Sequence, residues 1–291
     1  MITSKHFLVH LAIVFCVASG FSGLVAAAGI ERANLKGAYD PLSLNSSVAL
    51  VADADSLEVL YAKNPHVVLP IASLTKVMTV VVTLEAGLDL DELITITADD
   101  IDYYKNTRSR LKPGTQFTRR ELIHLALMAS ENRAASALGR SYPGGMAACV
   151  AQMNRRAKAL QMVNTNFAET TGLSVDNKSS ANDLARMVLH AQHFQLIRQF
   201  STDPQFSVST DRGELSFRNT NRLIKQKDWD IQVQKTGFIN EAGRCLVMQA
   251  RVGGRNLVIV LLDALGSKAR YSDAERIREF VNGQSLMTAQ N

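Results

Sequence analysis

Three short groups of chemically capable residues follow one another in this 291-residue chain: Ser73-Leu74-Thr75-Lys76, Ser130-Glu131-Asn132 and Lys235-Thr236-Gly237. Ser73 and Lys76 are three apart, so on a helix they share a face and the amine comes within hydrogen-bond reach of the hydroxyl. A serine hydroxyl is a weak nucleophile until a neighbour takes its proton. A lysine can do that only as the neutral amine, which requires a pKa lowered by burial, by nearby positive charge or by the positive end of a helix dipole. Taken alone, the pair reads more simply as a capping serine and an exposed lysine. Ser130 and Asn132 sit at alternate positions that can aim two side chains into one cleft, the first to relay a proton toward a leaving amine and the second to hydrogen-bond a peptide. By themselves they read equally well as the polar end of a helix. Lys235, Thr236 and Gly237 close an apolar alternation through Ile231 and Val233. A strand there can take a peptide by edge addition, with Gly237 allowing close backbone approach and Lys235 and Thr236 attracting a carboxylate. The backbone amides of Ser73 and Phe238 are then candidate oxyanion donors. A plain edge strand is the simpler alternative. Each group is too short to carry weight alone; their joint order and separation point to acyl transfer through an active-site serine.

Other chemistries find less support. None of the six histidines lies in a G-x-S-x-G or comparable nucleophile setting, so a Ser-His-Asp triad is not indicated. His190 and His193 can share a helix face, but no acid or cysteine stands at ligand spacing, and neither a metal nor an organic cofactor is expected. The formal charge of +5 is spread along the chain, without the basic cluster a nucleic-acid surface would need.

Lys5 precedes an apolar run from Phe7 to Val17, and Ala26-Ala27-Ala28 precede Gly29, which reads as an export signal over residues 1–28. Ser19, Gly20, Ser22 and Gly23 interrupt the apolar stretch, which is short for a retained membrane span. Cys16 follows Ile13, Val14 and Phe15, not the small-residue context of a lipidated cysteine. Cys149 and Cys245 remain after cleavage; an oxidising compartment would permit a bond between them, and two buried free thiols are the alternative.

The elements that must position these residues are legible in outline. Ser47 to Asp53 and Leu57 to Ala62 flank Asp53-Ala54-Asp55-Ser56 as a strand hairpin, and a helix opens around Ser73. Thr118-Arg119-Arg120-Glu121 form a capping box ahead of Leu122, Leu125, Ala126 and Ala129. Helices are predicted over 134–139, 146–160 and 181–191, the last capped by Ser180, and a final helix over 273–281. Strands are predicted over 205–209, 231–234, 245–252 and 257–262, with Gly253-Gly254 as a hairpin turn. The order strands, helices, strands, helix predicts an α+β fold: an antiparallel sheet built from both ends of the chain, with a helical region of about 100–200 inserted.

With its motifs, Thr171-Gly172-Leu173-Ser174, Ser180-Ala181-Asn182-Asp183-Leu184 and the run from Trp229 through Gly237 to Cys245, the chain resembles the low-molecular-weight penicillin-binding proteins. These are serine D,D-peptidases of bacterial cell-wall metabolism, and the last run resembles their D-alanyl-D-alanine endopeptidase type. The resemblance implies a β-lactamase/transpeptidase-like fold over residues 29–291. By motif position it makes Ser73 the acylated nucleophile, Lys76 its base and Ser130 the proton relay. Asn132, Lys235, Thr236, Gly237 and Phe238 would hold substrate. The implied partners are peptidoglycan stem peptides, with β-lactam antibiotics as covalent inhibitors, and the implied location is the periplasm with at most loose membrane association. From Gly237 to Asn291 there is too little chain for the further C-terminal domain and anchor of larger D,D-carboxypeptidases. Glu169 is followed by Thr-Thr-Gly-Leu, which does not match the E-x-x-L-N pattern of class A β-lactamases, so a penicilloyl ester should persist.

Overall fold

The computed structural model describes residues 40–211 and 213–289, with side chains to 283. The predicted export signal, its cleavage site and Cys16 lie outside the described residues. In chain order the elements are β1 (Ser46–Asp53), β2 (Val59–Lys63), β3 (Leu69–Pro70), a 3-10 turn at Ala72–Leu74, α1 (Thr75–Glu85), β4 (Leu93–Thr95), β5 (Gln116–Thr118), α2 (Arg119–Met128), α3 (Asn132–Arg140) and α4 (Gly145–Ala159). There follow β6 (Lys178–Ser179), α5 (Ala181–Ala191), α6 (Gln195–Thr202), β7 (Gln205–Thr210), β8 (Gly213–Arg218), β9 (Asp230–Ile239), β10 (Gly243–Val252), β11 (Arg255–Ala264) and α7 (Ala269–Ala289). The class is α+β, as expected.

The main sheet has the order β2-β1-β11-β10-β9 and is antiparallel throughout, so strands from both ends of the chain meet where β1 pairs with β11. Its central strands are apolar on both faces because both are covered. Leu257, Ile259 and Leu261 of β11 pack with Ala274, Ile277 and Val281 of α7. Val258, Val260 and Leu262 face the larger core that contains Leu74, Val77, Leu184 and Val188. β9 is left as an edge.

Asp273 of α7 locks this closure. Its wholly buried carboxylate accepts from Asn45 N and Nδ2 at 2.9 and 2.8 Å and from Ser46 N and Oγ at 2.7 Å each. Replacing Asp273 with alanine strands those donors and should cost about 3 kcal/mol. Thermal unfolding should show a Tm lower by about 6–12 °C; an unchanged Tm would refute this role.

The predicted caps form: Thr118 accepts from Glu121 N while Glu121 reaches back to Thr118 N, and Ser180 accepts from Asp183 N. One expectation is corrected. The predicted 231–234 strand does not stop before Lys235 but runs through Gly237 to Ile239, because its polar residues are buried against the helices. The predicted 205–209 strand forms and pairs with β8 in a separate two-stranded sheet, where the buried Phe217 lies beneath the Arg110 guanidinium, 3.9 Å from the ring centre. Cys149 and Cys245 are both buried and are not bonded to each other; burial pushes the Cys149 thiol up to about 12.

Candidate active site

The 3-10 turn Ala72–Leu74 delivers Ser73 and passes directly into α1, which carries Lys76 one turn on. Ala72 lies in the left-handed region at φ +48°, a cost that non-glycine residues meet mainly where a site demands it. Two glycines make room for this turn. A Cβ on Gly172, at φ +83°, would sit 1.9 Å from the Ala72 carbonyl oxygen. One on Gly237 would sit 3.0 Å from the Ile71 oxygen and 3.2 Å from the Ser73 nitrogen. Strand β9 and the 170–174 loop therefore close on the nucleophile from two sides.

Lys76 is wholly buried, and its Nζ lies 2.8 Å from Ser73 Oγ, 2.8 Å from Asn132 Oδ1 and 2.5 Å from the Thr171 carbonyl oxygen. Burial lowers its pKa to about 8, against the opposing pull of Glu169, Glu131 and Asp102. About a tenth of the amine is thus neutral at pH 7, far more than for an ordinary lysine.

Helix α2 ends at Met128, and Ser130 turns the chain at φ +59° before Asn132 begins α3. This kink puts both Ser130 and Asn132 on the cleft wall. Both ends of the Asn132 amide are engaged: Oδ1 accepts from Lys76, and Nδ2 donates to Thr107 Oγ1 at 2.9 Å, which in turn donates to Asp102 at 2.7 Å. Lys235 is buried, with Nζ donating to the Thr236 carbonyl at 2.8 Å. Burial, followed by the charges of Lys76 and Arg270, holds it well below the ordinary lysine range.

The cleft these elements enclose has a volume of about 430 Å³, and Ser73, Ser130, Asn132, Thr236, Gly237 and Phe238 all line it. Lys76 and Lys235 stand beneath its surface. All eight candidate residues are therefore gathered at or directly under one cleft.

Several contributors have no local sequence signature. The buried guanidinium of Arg270, at the lining of the cleft, donates to the carbonyls of Gly237 and Cys245 at 2.9 and 3.0 Å, bracing β9 against β10. Thr220 shares a 2.6 Å hydroxyl contact with Thr236. Lys105 and Thr107 line the cleft from a loop in which no helical or strand periodicity flags a site. Glu169 holds the 169–177 loop: its carboxylate accepts from Thr171 N and Oγ1 at 2.5 Å, from Gly172 N at 2.6 Å and from the Asn177 amide. His190, considered above for metal binding, has Nε2 2.9 Å from Glu85 Oε1.

Chemically, the arrangement supplies a serine hydroxyl on a partly neutral buried amine, a second hydroxyl opposite, and an open sheet edge at peptide-binding distance. The family model for D-alanyl-D-alanine carboxypeptidase matches residues 35–266. The chain is 45% identical over 240 residues to the D-alanyl-D-alanine endopeptidase of Pseudomonas aeruginosa, covering 82% of this chain and 77% of that one. It is 40% identical over 244 residues to the protein of the same name from Escherichia coli, covering 83% and 79%. Among solved structures, the Streptomyces K15 DD-transpeptidase superposes with a TM-score of 0.77 at 26% identity, over 84% of this chain and 98% of that one. A D-alanyl-D-alanine carboxypeptidase from Mycobacterium tuberculosis gives 0.75 at 28% identity, over 84% and 94%.

Proposed function

The chain belongs to the D-alanyl-D-alanine carboxypeptidase family, and from that premise we propose that it is a periplasmic serine D,D-endopeptidase that hydrolyses D-alanyl-diaminopimelate cross-links in peptidoglycan. The observation that carries the reading is the buried Lys76 amine 2.8 Å from Ser73 Oγ, at the floor of a cleft bordered by an edge strand. The endopeptidase specificity is supported by the relatives at 45% and 40% identity.

In this mechanism a stem peptide lies along β9 with its scissile carbonyl over Ser73. The carboxylate beside the leaving nitrogen lies toward Thr236 and Lys235. Neutral Lys76 takes the Ser73 proton as Oγ attacks, and the oxyanion forms against the backbone amides of Ser73 and Phe238. Collapse breaks the C–N bond while Ser130 passes its proton to the departing amine and is reprotonated from the Lys76 ammonium, leaving an ester on Ser73 and a neutral Lys76. Water then attacks the ester, giving a proton to Lys76, which returns it to Ser73 Oγ as the ester C–O bond breaks and the D-alanyl carboxylate is released. A β-lactam would follow the first half, but its opened ring remains attached. The Glu169 carboxylate, engaged by five donors of its own loop, is poorly placed to activate a deacylating water.

The periplasmic assignment rests on residues 1–28 and on the substrate. Among the described residues no helix is long and apolar enough to cross a membrane. The test is to incubate the purified protein with cross-linked muropeptide dimers and, separately, with pentapeptide monomers, and to follow products by mass. Conversion of dimers to monomers is expected. Loss of D-alanine from monomers alone would reassign the protein as a D,D-carboxypeptidase, and no product from either would leave a non-catalytic binding protein.

A further inference from the structure

One end of the cleft is closed by an ion pair that the reaction above does not use. Lys105 Nζ lies 2.5 Å from Glu241 Oε1, joining residues 136 apart across the groove. Lys105 itself lines the cleft, and Glu241 follows Asn240, which also lines it. Both carriers are held firmly. The Asp102 carboxylate accepts from the backbone N–H groups of Tyr104, Lys105 and Thr107 and from the Thr107 hydroxyl, all within 3.0 Å. In the β9–β10 turn, Ala242 N donates to the Ile239 carbonyl at 3.2 Å. Gly243, at φ +61°, lets the turn lie against Asp263, which a Cβ would meet at 2.6 Å.

The position of the pair fixes which part of a substrate reaches it. If the leaving side lies toward Thr236 and the scissile carbonyl between Ser73 and Phe238, the acyl side runs past Phe238, Ile239 and Asn240 to Lys105 and Glu241. Phe238 is half exposed, with the Arg244 guanidinium 4.6 Å from its ring centre, and offers an apolar surface for a methylene chain.

The side chains of Lys105 and Glu241 are 31% and 43% exposed, so the pair contributes little to folding. A simple anion or cation arriving there would satisfy one partner and displace the other. A group bearing both an ammonium and a carboxylate on one carbon exchanges one ion pair for two. On the D,D-endopeptidase reading, the residue preceding D-alanine in the donor stem is a diaminopimelyl residue, whose free side-chain end is such a group. We propose that Lys105 and Glu241 form a subsite for this zwitterionic end, Lys105 taking its carboxylate and Glu241 its ammonium. The inference rests on the function proposed above.

The test uses full-length mature protein and dimeric muropeptides whose donor diaminopimelyl carboxyl is free or amidated, or whose donor side-chain amine is free or acetylated. Wild-type kcat/KM should be about tenfold or more higher for the doubly free dimer, chiefly through KM, as for loss of one charged hydrogen bond. Lys105→Ala should erase the preference for the free carboxyl, and Glu241→Gln the preference for the free amine. Benzylpenicillin labelling reports whether each variant retains an assembled serine site. If a variant fails to fold, the wild-type ratios still decide: equal kcat/KM on all dimers overturns the subsite while leaving the endopeptidase intact. Preferences that survive both substitutions also overturn it. Cleavage of no dimer would overturn the underlying reading instead.

Discussion

Protein carrying Ser73→Ala should neither cleave muropeptide dimers nor form a covalent adduct with penicillin, while unfolding near the wild-type temperature. Ser73 Oγ is the hydroxyl in contact with the buried Lys76 amine, whose other neighbours are an amide oxygen and a backbone carbonyl. Neither of those can be acylated in its place. Ser130 also lines the cleft, but its contact with Lys76 is absent from the hydrogen bonds of the amine, so it does not inherit activation. Removing the nucleophile therefore removes the ester route altogether, and the fall in turnover should be at least about 10⁴-fold. The substitution deletes one hydroxyl and leaves the Ala72 turn, Gly172 and Gly237 in register, so the fold should persist. Intact-protein mass after exposure to benzylpenicillin reads the adduct directly. An adduct on the variant, or dimer cleavage near the wild-type rate, would sink the serine mechanism.

The extent to which this site could be read from sequence follows the range of the forces involved. Ser73 and Lys76 are a helical turn apart, and Thr118, Glu121 and Ser180 declare their helix starts because a capping contact spans three residues. The sheet faces follow from runs such as Leu257 to Leu262, which alternate between two buried layers. What escaped local reading was set by distant partners. β9 continues past Lys235 although polarity suggests a stop, because helices and the Arg270 guanidinium cover its buried polar residues. Thr107 joins the catalytic group only through Asn132, 25 residues away. Thr171 contributes a carbonyl oxygen, which no side-chain pattern can advertise, to a lysine 95 residues distant. The left-handed turns at Ala72 and Ser130 are imposed by packing on residues with no intrinsic preference for them.

Lys76→Ala should slow penicillin acylation by about 10²- to 10⁴-fold, the range for a lost general base, and should also change the shape of its pH dependence. In the wild type the neutral amine is the active form, and burial brings its pKa to about 8. Acylation should therefore climb about tenfold per pH unit between about 5 and 7 and level off above about 8. The alanine variant should lose that limb, because the group that titrates is gone. Unfolding does not explain the loss. An unfolded lysine titrates near about 10.4, so at pH 7 the native site must bury an ammonium that the unfolded chain keeps in water. Between about 8 and 10.4 the unfolded state binds more protons than the native one, and native stability from this group rises with pH across that window. Alanine relieves the burial cost at neutral pH, offsetting the donor lost by Asn132 Oδ1 and the Thr171 carbonyl. Stopped-flow acylation across pH, alongside thermal unfolding, separates the two effects. A variant that keeps the wild-type limb would move the base to another group; a variant whose rate is unchanged would remove Lys76 from the chemistry.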